Sequence, residues 1–206
     1  MKKANKKSVN TGFTVRPEEW FLYRERLHGD QRELRIRKVD LRKDLALMHR
    51  WVNQPYASRF WGMQGTLKAL YMFYESKLEE GHLQLFFACI GAAPVALIEV
   101  YPVLHSELAG ALDFTETDYG IHLLMAPYRE VKAAVPVNID GLSVWVLKAT
   151  QQMLFGFSAV KRIVAEPDEQ NTHACRLAEK AGFQYIKTLQ LEDKMARLYT
   201  IVRHEI

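Results

Sequence analysis

The chain has 206 residues, 49% apolar and 25% charged, which is room for one soluble domain with a substantial core and short of two. Its formal net charge of +4 is carried by Lys2, Lys3, Lys6 and Lys7, ahead of the first acidic residue, Glu18; the remainder holds 24 bases and 24 acids. That balance leaves no basic footprint for a nucleic acid, and no segment has the length of a membrane span or the apolar core of a secretory signal, so a cytoplasmic protein is expected.

Residues 1–12 read as a flexible basic tail and 13–206 as a single domain. Leu34 to Val39 alternates apolar and basic residues, as a half-exposed strand does. Asp40 is a candidate N-cap, followed at helical spacing by Leu41, Leu45, Met48 and Val52, and Pro55 ends that helix by forcing its neighbour out of the α region. Thr66 caps a second helix carrying Leu67, Leu70, Tyr71, Tyr74 and Leu78 on one face, with Gly81 at the stop. The period then changes. Leu83 to Ile90 and Val95 to Val103 are apolar runs around a Gly91–Pro94 turn, the pattern of a hairpin buried on both faces.

Thr117 to Met125 reads as the next strand, and a loop with Pro127 and Pro136 leads to an amphipathic helix over about 139–155. A strand at Lys161 to Ala165, a short helix at Asn171 to Ala181 stopped by Gly182, and strands near 183–190 and 194–202 complete the order. Strands grouped in the middle with helices inserted singly predict an α/β (α+β mixed-sheet) domain, a central sheet flanked by helices. Cys89 and Cys175 lack any C-x-x-C spacing and read as reduced structural residues. No two histidines have ligand-like helical spacing, so no metal is expected.

The C-terminal third narrows the fold. Glu166-Pro167-Asp168-Glu169-Gln170-Asn171 leads into a helix with Ala174, Leu177, Glu179 and Lys180, then Ala181-Gly182-Phe183. Asn171 can cap that helix and Gly182 can turn the chain back into a strand. This run, in this place among strands, resembles the GNAT superfamily of acyl-CoA N-acyltransferases. Tyr119-Gly120-Ile121-His122-Leu123-Leu124, Glu166-Pro167-Asp168, Asn171, Lys194 with Ala196, and Arg59-Phe60-Trp61-Gly62-Met63 resemble its siderophore branch, which acylates N-hydroxylysine in aerobactin and mycobactin synthesis. The likeness covers roughly 34–202.

The resemblance implies a co-substrate, a coenzyme A thioester such as acetyl-CoA or succinyl-CoA, and a small amine or hydroxylamine acceptor. It also implies His122 and Asp168 as the catalytic pair. The amides of Leu123, Leu124 and Met125 would hold the pantetheine arm and the thioester oxygen, with Arg129, Lys132 and Asn171 on the cofactor and Trp61 on the substrate. Two positions depart from the family. Ala178 stands where many members have a tyrosine that reprotonates the thiolate, and no glycine lies between Met125 and Asp140, where a glycine-rich pyrophosphate loop is usual.

Each assignment has a plainer counterpart. A lone histidine in an apolar strand is often a satisfied core residue, Asp168 after a proline could begin a turn, and Trp61 could be core. Chemically, His122 can take the proton of an attacking nitrogen, since its intrinsic pKa is ~6.5, and a hydroxylamine nitrogen is already neutral near pH 7. Two alternatives stay open: an aminoglycoside-type N-acetyltransferase, which tends to carry an acid where this chain has His122, and a non-catalytic CoA-binding module.

Overall fold

The computed structural model describes residues 21–26, 32–134 and 141–203. The basic tail, Pro136 and the first residues of the helix predicted from 139 lie outside these.

In chain order the elements are β1 (Phe21–Arg26), β2 (Glu33–Lys38), α1 (Leu41–Val52), α2 (Pro55–Trp61), α3 (Leu67–Glu79), β3 (Gln84–Ile90), β4 (Ala93–Pro102), β5 (Asp118–Met125), α4 (Tyr128–Ala134), α5 (Leu142–Phe155), β6 (Arg162–Ala165), α6 (Thr172–Lys180), β7 (Gln184–Gln190) and β8 (Met195–Val202). One eight-stranded sheet runs β1-β2-β3-β4-β5-β6-β8-β7, with every neighbouring pair antiparallel except β5 and β6. This is the mixed sheet between helices that the element order predicts.

Alternation along β3 builds both cores at once. Phe86, Ala88 and Ile90 pack with Val146, Leu147 and Met153 of α5 and Cys175 and Ala178 of α6. Leu85, Phe87 and Cys89 point the other way, to Met48, Trp51 and Val52 of α1 and Leu70 and Tyr74 of α3. Burial of each large side chain contributes roughly 1.5–3 kcal/mol, so a hairpin with two apolar faces needs both helical layers. Both cysteines are free and buried.

The helix ends follow their local chemistry. Asp40 accepts from the Arg42 amide, Thr66 from Ala69 and Asn171 from Ala174. Arg37 grips Asp44 of α1 through two hydrogen bonds of 2.7 and 2.9 Å, which ties the first helix to the sheet.

Three elements exceed the sequence reading. Pro55 both stops α1 and occupies the first position of α2, where its missing N–H costs nothing, so Arg59–Trp61, beyond the predicted end of the first helix, is helical up to Gly62, a left-handed cap with φ 68°. Tyr128–Ala134, read as loop, forms the short helix α4. β1, with arginine and glutamate among its six residues, was not anticipated; it is an edge strand, where only one side needs partners.

Candidate active site

The sheet forks. β5 and β6 pair in parallel at Asp118↔Arg162, Tyr119↔Ile163 and Gly120↔Val164, and the pairing stops there. On its other side β5 stays paired with β4 through Met125↔Ala96. Direction along that edge follows from one bond: the Ala126 amide donates to Val95 O at 2.9 Å. Peptide groups alternate along an antiparallel strand, so Leu124 and His122 also turn toward β4, whereas Leu123 and Met125 turn toward the gap. The outward carbonyl of Met125 accepts from the Tyr56 hydroxyl of α2 at 2.7 Å.

Just beyond the fork, three side chains form a row. Glu99 of β4 is the cross-strand partner of His122. Continuing the parallel register by two residues sets His122 opposite Glu166, which follows β6. His122 Nδ1 lies 2.9 Å from Glu99 Oε2, and Nε2 lies 2.6 Å from Glu166 Oε1. The outer oxygens are taken as well: Tyr74 of α3 donates to Glu99 Oε1 at 2.7 Å, and Tyr101 of β4 donates to Glu166 Oε2 at 2.9 Å. Lys194 Nζ stands 3.7 Å from Glu166. The glutamate side chains are only 10% and 5% exposed, while the histidine is 39% exposed, so the row is buried at both ends and open in the middle.

The electrostatics follow from that enclosure. Burial works against a charged imidazole, but Glu166 foremost and then Glu99 outweigh it, and the His122 pKa is pushed up to about 10. Burial also opposes charge on Glu166, yet His122, with help from Lys194 and Tyr101, brings it down to about 2. The Tyr74 and Tyr101 phenols are raised well above their ordinary value by burial and by the carboxylates they face, so both remain donors.

The structure brings Trp61 to His122, edge to face with ring centroids 5.9 Å apart, and Tyr101 lies on another side at 5.0 Å. It does not bring Asp168 there. The carboxylate on His122 Nε2 is Glu166, two residues earlier, and Asp168 Oδ1 accepts from the Gln170 amide at 2.7 Å. The Asp168 backbone bridges to Ala196, and Pro167 O and the Glu169 amide bond β8 residues Arg197 and Met195, which pins the turn carrying Glu166. Of the three strand residues expected to offer amides, Leu123 and Met125 face the gap and Leu124 does not. Asn171 caps α6 through Ala174 at 3.1 Å, and Arg129 and Lys132 are exposed on α4.

Sequence reasoning missed Glu99, Tyr101 and Tyr74, and quoted Glu166 without a role. Glu99 carried a readable signal, a carboxylate inside the otherwise apolar run from Val95 to Val103. Among the described residues no group of three His, Cys, Asp or Glu is placed to hold a metal ion, and no helix is long and apolar enough to cross a membrane.

A forked mixed sheet flanked by helices is the architecture of the GNAT acyltransferases. The sequence matches the acetyltransferase (GNAT) domain over residues 40–191, and the chain belongs to that family. It is 26% identical to the N-hydroxyputrescine acetyltransferase of Acinetobacter baumannii over 82% of this chain and 78% of the relative. It is 21% identical to the lysine N-acyltransferase MbtK of a Mycobacterium species, over 82% and 66%. The structure of aminoglycoside acetyltransferase AAC(6')-Ib in complex with coenzyme A superposes with a TM-score of 0.71 at 25% identity, covering 82% of this chain and 95% of that one.

Proposed function

We propose that this protein transfers an acyl group from a coenzyme A thioester to the hydroxylamine nitrogen of an N-hydroxylated amine. The product is a hydroxamate, a hard-oxygen ligand suited to Fe(III), and the setting is siderophore biosynthesis in the cytoplasm. The observation that carries this reading is the Glu99–His122–Glu166 row at the mouth of the fork. Similarity to the N-hydroxyputrescine acetyltransferase supports the acceptor class.

The residues divide the work by position. The outward amides of Leu123 and Met125 are suited to the pantetheine arm and the thioester oxygen, since a donor facing a gap in the sheet has no strand to satisfy it. Met125 O, which accepts from Tyr56, is an outward acceptor beside them. Trp61 walls the acceptor side of His122. Arg129 and Lys132 supply exposed positive charge beyond β5 for the phosphates, and Asn171 stands at the start of α6. Asp168 acts in this reading as a positioning residue, holding the turn that presents Glu166.

The test is coenzyme A release by the full chain with acetyl-CoA and succinyl-CoA. Acceptors are N-hydroxyputrescine, N-hydroxycadaverine, N-hydroxylysine, lysine and kanamycin, with a His122→Ala control. Turnover confined to the hydroxylamines and lost in the variant is expected. Turnover of kanamycin alone would transfer the protein to the aminoglycoside class that AAC(6')-Ib represents, and silence with every pair would leave a non-catalytic module.

A further inference from the structure

A neutral imidazole has one N–H and one lone pair, so it can donate at one nitrogen only. His122 has a carboxylate oxygen at hydrogen-bond distance from each nitrogen, 2.9 Å at Nδ1 and 2.6 Å at Nε2. Were the ring neutral and both glutamates ionised, one nitrogen lone pair would face a carboxylate lone pair across that distance inside a buried row. A proton between ring and carboxylate on each side removes the clash. Whether it sits on nitrogen or oxygen, the group of three holds one proton more than a histidine waiting to act as a base. The surroundings suit two carboxylates: Tyr74 and Tyr101 donate their phenol protons to the outer glutamate oxygens, and Trp61 meets the ring edge to face. Among the described residues, the other cation paired with the row is Lys194, which faces Glu166.

We propose that His122 serves the reaction as a fixed imidazolium, a charge rather than a base, and that the site therefore accepts only nitrogen nucleophiles that are already neutral at physiological pH. In the step this describes, the N–C bond forms and the C–S bond breaks, with its electron pair leaving on sulfur. The nitrogen loses its proton to water, the thiolate gains one from water, and His122 keeps both of its own. Its positive charge is offset by the two glutamates, so the negative charge that develops on the thioester oxygen falls to the outward amides of Leu123 and Met125. An alkylamine of pKa ~10.4 is neutral in only about one molecule in a thousand near pH 7.4, and nothing in the row is free to deprotonate the rest. A hydroxylamine nitrogen carries no such handicap. The glutamates of His122 thus set substrate class by basicity. The charge state stands on geometry alone; the selectivity rests on the acyl-transfer reading.

Two measurements separate these. The first is nitrogen NMR of the histidine-labelled full chain without substrate. Two protonated ring nitrogens on His122 through about pH 8 are expected, with the titration midpoint falling toward the ordinary ~6.5 in Glu166→Gln. A neutral ring at pH 7.4 overturns the proposal whatever the enzyme acylates. The second is the pH dependence of kcat/KM for an N-hydroxydiamine and its parent diamine. The expected preference is about a thousandfold near pH 7.4, shrinking about tenfold per pH unit as the parent amine loses its proton, while the hydroxylamine rate stays level from pH 7 to 8. A hydroxylamine rate that climbs through pH ~6.5 and levels above it, as a histidine base dictates, overturns it. If no acceptor turns over, the proposed function fails and the NMR result still decides the state of His122.

Discussion

The ring of Tyr101 lies where a side chain at Gly120 would be. The two are direct cross-strand partners, and a Cβ added at Gly120 would overlap Tyr101 Cζ. The missing side chain lets the phenol lean across β5 and reach Glu166, which in turn holds His122.

Gly120→Ala therefore acts on the site through Tyr101. The ring must move, which costs about 1–3 kcal/mol by overpacking and separates its hydroxyl from Glu166. A urea titration is expected to show that loss. Turnover should fall as well, by about as much as in Tyr101→Phe if loss of the phenol's bond to Glu166 is the cause. Stability unchanged in the single variant would mean that β4 and β5 have room the contact does not suggest.

The row also sets how stability depends on pH. The His122 pKa is raised in the folded state, so its contribution is complete below about 6.5 and is lost as pH rises toward about 10. That of Glu166 is lowered, so its contribution is complete above about 4.5 and is lost as pH falls toward about 2. Because the two groups share one contact, Glu166→Gln removes most of both dependences together. Thermal melts across pH should show a flatter curve for the variant, and parallel curves would count against the pairing.

Glu99→Gln preserves the shape of the side chain and removes its charge. With one opposite charge fewer, the His122 midpoint is expected to drop by about 1–3 pH units, because a neighbouring carboxylate shifts a partner by that much. The hydroxylamine rate should then begin to decline at correspondingly lower pH. An unmoved midpoint would show that Glu166 alone holds the ring.

Asn171→Ala and Asp168→Asn separate structural from chemical roles. Loss of the Asn171 cap should lower stability by about 1 kcal/mol. If Asn171 also serves coenzyme A, KM for acyl-CoA rises in addition, with kcat little changed. Asp168→Asn keeps an acceptor for the Gln170 amide, so the turn should persist and turnover should change less than in Glu166→Gln. A loss as large as that of His122→Ala would return Asp168 to the catalytic pair.

Much of this was legible from local chemistry. Asp40, Thr66 and Asn171 cap the helices expected of them, the β3–β4 hairpin is apolar on both faces, and Pro55 ends α1. His122 and Trp61 were singled out and stand together. Pro55 opening a second helix was harder to read, because the same residue that breaks one helix is favoured at the start of the next. Asp168 was harder to place for a related reason: it lies two residues from Glu166, and whether position 166 or 168 reaches the ring depends on where the parallel pairing ends.

By itself the sequence determined most of the elements, their order and the residue types available for chemistry, since caps, turns and hydrophobic period are set by neighbours along the chain. Only the tertiary structure decided which of those residues meet. Glu99, His122 and Glu166 are separated by 23 and 44 positions and form one row because β4, β5 and the end of β6 lie side by side in one register. Charge state follows from that register. A histidine read alone offers a lone pair, and a histidine between two buried carboxylates has none to offer.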